Sequence, residues 1–292
     1  MALVFDRAFA APYGEAMRLS SRVRRVLANN PGPFTFRGTG TYVVGEHDVA
    51  VIDPGPDLPE HVDALKRALT GCRLTHILIT HTHADHSPAA RPLQEWSGAT
   101  TYGFGPHPSA QDDGARVEEG ADRTFVPDIR LKDGDVIAAG GATFECLHTP
   151  GHISNHLCYA LREEEALFTG DHVMGWSTSV VTPPDGDMTD YMAGLSRLIA
   201  RSDRTLFPTH GAPIENPKAF LEAYLAHRLA REAQILKCLR EGVSTISDIV
   251  AKLYTDVDVR LHPAAARSVL AHLIKLEKDG RATAANGVYR PA

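Results

Sequence analysis

The run His81-Thr82-His83-Ala84-Asp85-His86 constrains this chain more than any other stretch of it. It directly follows Thr75-His76-Ile77-Leu78-Ile79-Thr80, a short apolar segment that reads as a buried strand. On an extended backbone, side chains two residues apart point the same way, so His81 and His83 can reach one ion together. The chain must then turn, and Asp85 and His86 can serve a neighbouring ion from that turn. Neutral imidazole and carboxylate suit zinc, and also manganese or iron. A ligand set begun at one strand end has to be completed from others.

Three later positions offer the remaining ligands. They are His152 in His148-Thr149-Pro150-Gly151-His152, Asp171 in Thr169-Gly170-Asp171-His172, and His210 in Pro208-Thr209-His210-Gly211. Each follows an expected strand and sits beside a glycine, where the backbone can bend sharply. His81, His83 and His152 would hold one metal, and Asp85, His86 and His210 a second. Asp171, with two oxygens, would join them and leave room for a shared water. Asp85 is also the candidate catalytic residue, orienting the nucleophile or shuttling a proton. Of the 15 histidines, His47, His61, His107, His227, His262 and His272 read as ordinary surface or core residues. His76, His148, His156 and His172 lie near the cluster and read as supporting donors or packing residues.

Around these motifs the pattern is one of short strands and helices. Strands are expected at 41–44, 49–52, 75–80, 123–126, 136–137, 142–148, 157–161, 166–168 and 205–207. Apolar spacing predicts helices over 58–69 and 188–200. The run Arg18, Arg22, Arg24 and Arg25 reads as a solvated basic face. The loop Gly175 to Asp187, rich in Ser, Thr, Pro and Gly, is a candidate substrate wall. After Asn216-Pro217 the strand signal gives way to helices over 219–239, 245–253 (with Ser244 as cap) and 263–278. A hairpin turning at Asn286-Gly287 follows. Helix, helix, helix, hairpin is the order of a winged-helix module, so a catalytic domain over 1–216 and a helical linker with a winged-helix-like domain over 217–292 are expected.

The formal charge of -6 argues against a global attraction to nucleic acid or anionic membrane. No apolar run is long enough to span a bilayer, and charges at Asp6, Arg7 and Glu15 interrupt any leader-like stretch. The cysteines Cys72, Cys146, Cys158 and Cys238 are scattered, as expected of reduced thiols in a cytoplasmic protein.

The run His81 to His86, followed in order by His152, Asp171 and His210, resembles the metallo-β-lactamase superfamily at all seven ligand positions. That resemblance implies an α/β (α+β) fold, an αββα sandwich with the site at one edge between the sheets, and a dinuclear centre, usually zinc. A narrower similarity, to the β-lactamase-like protein 2 family, covers most of the chain. It is carried by Asn30 to Thr35, His148 to His152, Phe168 to Asp171, Asp190-Tyr191-Met192, His227 to Glu232 and the winged-helix-like tail. The mitochondrial member of that family is a zinc-dependent endoribonuclease acting on single-stranded RNA. This chain departs from it in two places: Gly38-Thr39-Gly40-Thr41 lacks the family's Asn, and the loop Gly175 to Asp187 is longer. Both departures bear on the substrate more than on the metals.

The expectation is therefore a dinuclear metal-dependent hydrolase using a metal-bridging hydroxide, with RNA or another phosphodiester placed first. A small-molecule ester, thioester or lactone, in the manner of glyoxalase II, comes second. β-Lactamase activity ranks lower, because β-lactamases of this fold lack the bridging Asp. A non-catalytic nucleic-acid-binding scaffold ranks lower too, since it would leave the ligand set without a purpose. Arg228 and Arg231, three apart on a helix, read as surface ion-pair partners of Glu222 or Glu232, or alternatively as anion holders. The helix over 263–278 has no dense basic stripe and no stacking aromatic. This favours a tail used for packing or for a homo-oligomer over one that reads nucleic acid.

Overall fold

The computed structural model describes residues 3–108, 120–255, 259 and 262–292. Two sheets lie face to face. The first runs in chain order: β1 (Ala16–Arg18), β2 (Val23–Leu27), β3 (Gly40–Gly45), β4 (Asp48–Ile52), β5 (Arg73–Leu78), β6 (Thr100–Gly103) and β7 (Ile129–Arg130). The second comprises β8 (Val136–Ala139), β9 (Ala142–His148), β10 (Leu157–Leu161), β11 (Ala166–Gly170), β12 (Thr205–Pro208) and β13 (Ile214–Glu215). Helices α1 (Pro59–Ala68) and α2 (Ala90–Ser97) cover the first sheet, and α3 (Met188–Ile199) with the start of α4 (Lys218–Arg240) covers the second.

The layering follows from strand residues that are apolar on both faces. Tyr42, Val44, Ala50 and Ile52 point inward, onto Phe144, Tyr159, Phe168 and Phe207 of the other sheet. Their neighbours Val43, Val49 and Val51 point outward, onto Leu65 and Leu93 of α1 and α2. Each such side chain contributes roughly 1.5–3 kcal/mol by leaving water. Parallel pairs need crossovers: α1 links β4 to β5, α2 links β5 to β6, and α3 links β11 to β12. β9, β11 and β12 consequently run in one direction and β4 and β5 share another, so their C-terminal ends gather at one edge of the sandwich. Ligands bind off such ends in α/β sheets.

Beyond α4 come α5 (Ile246–Leu253), α6 (His262–Lys278) and the hairpin β14 (Ala282–Ala285) with β15 (Val288–Pro291). They enclose a separate core of Ile235, Leu239, Ile249, Val269, Leu273, Leu276 and Tyr289. The hairpin turns at Asn286 and Gly287, both with positive φ, as the sequence predicts. Helix α4 belongs to two cores: Leu221 and Tyr224 pack on the second sheet's helical layer, Ile235 and Leu239 on the C-terminal module. Among the described residues, no helix is long and apolar enough to cross a membrane.

Four local expectations are corrected. Residues 123–126 are not a strand: the Asp122 carboxylate accepts from the N–H groups of Thr124 and Phe125, turning the chain, and the strand forms at Ile129–Arg130 instead. The basic run is not uniformly solvated, because Arg25 is buried, donates to the Gly211 carbonyl at 2.9 Å and lies over Phe9. α5 is capped by Thr245, whose side chain accepts from Asp248 N–H, rather than by Ser244. Arg228 and Arg231 are not surface ion-pair partners. Arg228 is buried over Tyr191 and Tyr224, and Arg231 lies over Tyr254 and donates to the Leu253 carbonyl.

Candidate metal centre

Every expected ligand stands just past the C-terminal end of a strand: His81 to His86 after β5, His152 after β9, Asp171 after β11 and His210 after β12. All are buried. His83 Nδ1 lies 2.9 Å from His81 Nε2 and 3.0 Å from His152 Nε2. His210 Nε2 lies 3.1 Å from Asp85 Oδ2, and His86 Nε2 lies 3.4 Å from the same oxygen. Ligands at about 2.0–2.1 Å from a tetrahedral ion are about 3.3 Å apart, so both trios have the spacing a shared ion requires. Asp171 stands between them. Its Oδ2 is 3.8 Å from His152 Nε2, and its Oδ1 is 3.4 Å from His210 Nε2 and 3.6 Å from His86 Nε2.

The donor set fits divalent ions on two further grounds. His86 Nε2 and Asp171 Oδ1 are buried without a hydrogen-bond partner, a costly arrangement unless something else binds there. The electrostatics favour cations where the carboxylates sit. Burial lowers the pKa of His86 and His210, yet the negative charges of Asp85 and Asp171 outweigh it and draw protons onto both rings. Burial likewise raises Asp85, but the His86 and His210 imidazoles hold it at about 2. His81 is driven the other way, first by burial and then by neighbouring imidazoles, and remains a neutral donor.

The second ring nitrogen of several ligands is fixed, which sets which nitrogen faces the ion. His86 Nδ1 meets Asp53 Oδ2 at 2.9 Å, His81 Nδ1 meets Thr80 Oγ1 at 3.1 Å, His152 Nδ1 donates to the Val180 carbonyl at 2.7 Å and His210 Nδ1 to that of Gly38 at 3.1 Å. Asp53 is the residue that sequence reasoning missed. Its one signal in the sequence is a carboxylate straight after an apolar strand. Of the nearby histidines, His156 supports the site: its Nε2 accepts from the Asp171 N–H at 3.2 Å. His172 is buried against Tyr191, while His148 stacks on Phe104 and His76 on Tyr102.

Gly151, with φ +130°, lets the chain pass α3 immediately before His152; a Cβ there would come within 2.4 Å of the Tyr191 backbone. Gly151→Ala is expected to cost about 3 kcal/mol and loosen His152. A thermal melt unchanged from wild type would refute this.

The ligands open into a cavity of about 110 Å³. Pro33, Phe34, Met174, Trp176 and Val180 line it beside His83, Asp85, His152, Asp171 and His210, with Ser177 and Thr178. Trp176 stacks on Phe36, with ring centroids 4.9 Å apart.

Residues 35–210 match the family model of the metallo-β-lactamase superfamily, and residues 245–288 match that of the β-lactamase-associated winged helix domain. The chain is 34% identical to the β-lactamase-like protein 2 homolog of Caenorhabditis elegans, over 90% of this chain and 86% of that protein. It is 30% identical to an atrochrysone carboxyl ACP thioesterase of Cryptosporiopsis sp., over 94% and 86% respectively. A β-lactamase domain protein from Burkholderia ambifaria shares the fold with a TM-score of 0.81 at 20% identity, over 99% of this chain and 97% of that one. The chain therefore belongs to the metallo-β-lactamase superfamily of hydrolases and carries that superfamily's associated winged-helix domain at its C-terminal end.

Proposed function

We propose that this protein is a dinuclear metal-dependent hydrolase of thioesters with an apolar acyl group. The carrying observation is the cleft lining: apolar and aromatic walls around the ligands, with neither Lys nor Arg among the described lining residues. A single-stranded RNA backbone calls for a cationic groove. An acyl chain calls for apolar walls. The thioesterase relative supports this choice. The phosphodiester reading rests on the family resemblance alone.

His81, His83 and His152 would hold one ion, Asp85, His86 and His210 the other, and Asp171 would face both. When bound, two divalent ions supply Lewis acidity, acidifying a water and stabilising negative charge on the substrate oxygen. Asp85, at the cleft wall, accepts the hydrogen bond that orients the attacking water. Phe34, Met174, Trp176 and Val180 seat the acyl chain and exclude bulk solvent. The water oxygen bonds to the acyl carbon as its proton passes to the Asp85 carboxylate, the carbon–sulfur bond breaks, and the sulfur leaves with the electron pair. A thiol has a pKa of about 8.5, so its thiolate leaves without a strong acid. This matches a lining without Lys, Tyr or Cys among the described residues.

The test is hydrolysis by zinc-loaded protein of acyl thioesters of increasing chain length, read as free thiol, beside labelled single-stranded RNA. Thiol release that improves with acyl length, with RNA intact, is the expected result. RNA cleavage without thiol release would overturn the reading. Trp176→Ala is expected to raise KM about tenfold, the equivalent of ~1.4 kcal/mol of lost apolar contact, with little change in kcat.

A further inference from the structure

Ser179 lies in the loop between β11 and α3, and all of its polar groups are held. Its N–H donates to the Tyr224 hydroxyl, its hydroxyl donates to the His172 carbonyl at 3.1 Å, and its carbonyl accepts from Arg228. The Tyr224 hydroxyl also donates to the Ser177 carbonyl at 3.2 Å. Tyr224 and Arg228 both belong to α4, the helix shared with the C-terminal module. The residue after Ser179 is Val180, whose carbonyl receives the His152 Nδ1–H at 2.7 Å. The residue before His172 is Asp171. Two side chains of α4 thus hold a peptide whose neighbours touch one expected ligand and flank another.

Arg228 is an unusual residue to spend on this. It is buried, with 4% of its surface exposed, and among the described residues no carboxylate pairs with it. Burying a cation without an acid partner is costly. It is offset here by the Tyr191 and Tyr224 ring faces, at 5.0 and 5.9 Å, and by a charge-assisted hydrogen bond to one carbonyl. The guanidinium is aimed at the loop backbone rather than into the cleft, whose lining does not include it.

We infer that Arg228 and Tyr224 are positioning residues for the site formed by His81, His83 and His152. By fixing Ser179 they place the Val180 carbonyl, which sets the plane of the His152 ring, and α4 is in that sense part of the metal centre. Lys278 of α6 pairs with Asp187 at the α3 end of the same loop, so α4 and α6 hold the loop at its middle and at that end. This inference rests on the metal-centre reading above.

The experiment is zinc retention against a graded chelator, with zinc content and thermal melts read on wild type, Arg228→Met, Arg228→Lys and Tyr224→Phe. Wild type is expected to hold two zinc ions per chain. Arg228→Met keeps the volume but loses the donor, and is expected to release one ion at chelator concentrations about tenfold or more lower, while retaining the other. Arg228→Lys, which can still donate to the Ser179 carbonyl, is expected to fall between. If Arg228→Met does not fold, Tyr224→Phe decides, since it keeps the ring and removes only the hydroxyl; a selective loss of one ion is again expected. Lower melting temperatures with both ions released at wild-type chelator concentrations would show a structural role only, and overturn the inference. A wild type that binds no zinc would overturn the metal-centre reading and this inference with it.

Discussion

Asp171→Ala is expected to lower kcat/KM for the best substrate on the order of 10³-fold or more, ~4 kcal/mol of transition-state stabilisation, while leaving the fold intact. The expectation follows from its place between the trios, with Oδ1 turned to His86 and His210 and Oδ2 to His152. No other carboxylate among the described residues faces both groups of donors, so its loss uncouples them. The fold should survive because Asp171 follows β11 at the sandwich edge, and the core behind it is made of Phe168, Tyr42 and Phe144. Steady-state kinetics with metal analysis checks this: zinc content is expected to fall from two per chain toward one. Wild-type turnover by the variant would remove Asp171 from the mechanism. Asp171→Asn, which keeps one carbonyl oxygen but loses the charge, should be impaired less in metal content than in rate.

Asp53→Ala carries the largest expected effect on stability, although Asp53 touches no substrate. It directly follows β4 with a positive φ of 47° and is fully buried. Its Oδ1 accepts from the Thr80 N–H at 2.8 Å; its Oδ2 accepts from Thr80 Oγ1 at 2.7 Å, His86 Nδ1 at 2.9 Å and Thr209 Oγ1 at 3.2 Å. One carboxylate thereby ties the ends of β4, β5 and β12 together and orients a ligand. Its removal strands several buried donors at once, for an expected loss of about 3–5 kcal/mol and a Tm lowered by roughly 10 °C. Affinity for metal at the site containing His86 should fall about 10–100-fold, as when the partner of a ligating histidine is removed. Calorimetry with chelator competition reads both; a melt within a degree or so of wild type would sink the argument.

These two residues mark the limit of what could be read in advance. Asp171 was legible because strand, glycine and carboxylate are adjacent in the chain, a local signal like that of His81 to His86. Asp53 was not, because its partners Thr80 and Thr209 lie 27 and 156 residues away and nothing local announces them. Arg228 illustrates the same limit from the other side. Its helical spacing suggested a solvated or anion-binding face, but a partner 49 residues away, the Ser179 carbonyl, gives it a different role. The strand expected at residues 123–126 failed for a local reason, the turn built on the Asp122 carboxylate, which outweighed the β-leaning composition.

By itself, then, the sequence determined the candidate donor set, the strands whose ends present it and the succession of helices and hairpin in the C-terminal module. Those properties depend on side-chain period and on residues adjacent in the chain. Only the tertiary structure decided how His152, Asp171 and His210 meet the first cluster at distances of 3.0–3.8 Å, which walls stand around them, and that α4 holds the loop beneath His152. Those contacts join segments tens to more than a hundred residues apart, and they exist only because the two sheets pack with their strand ends at one edge.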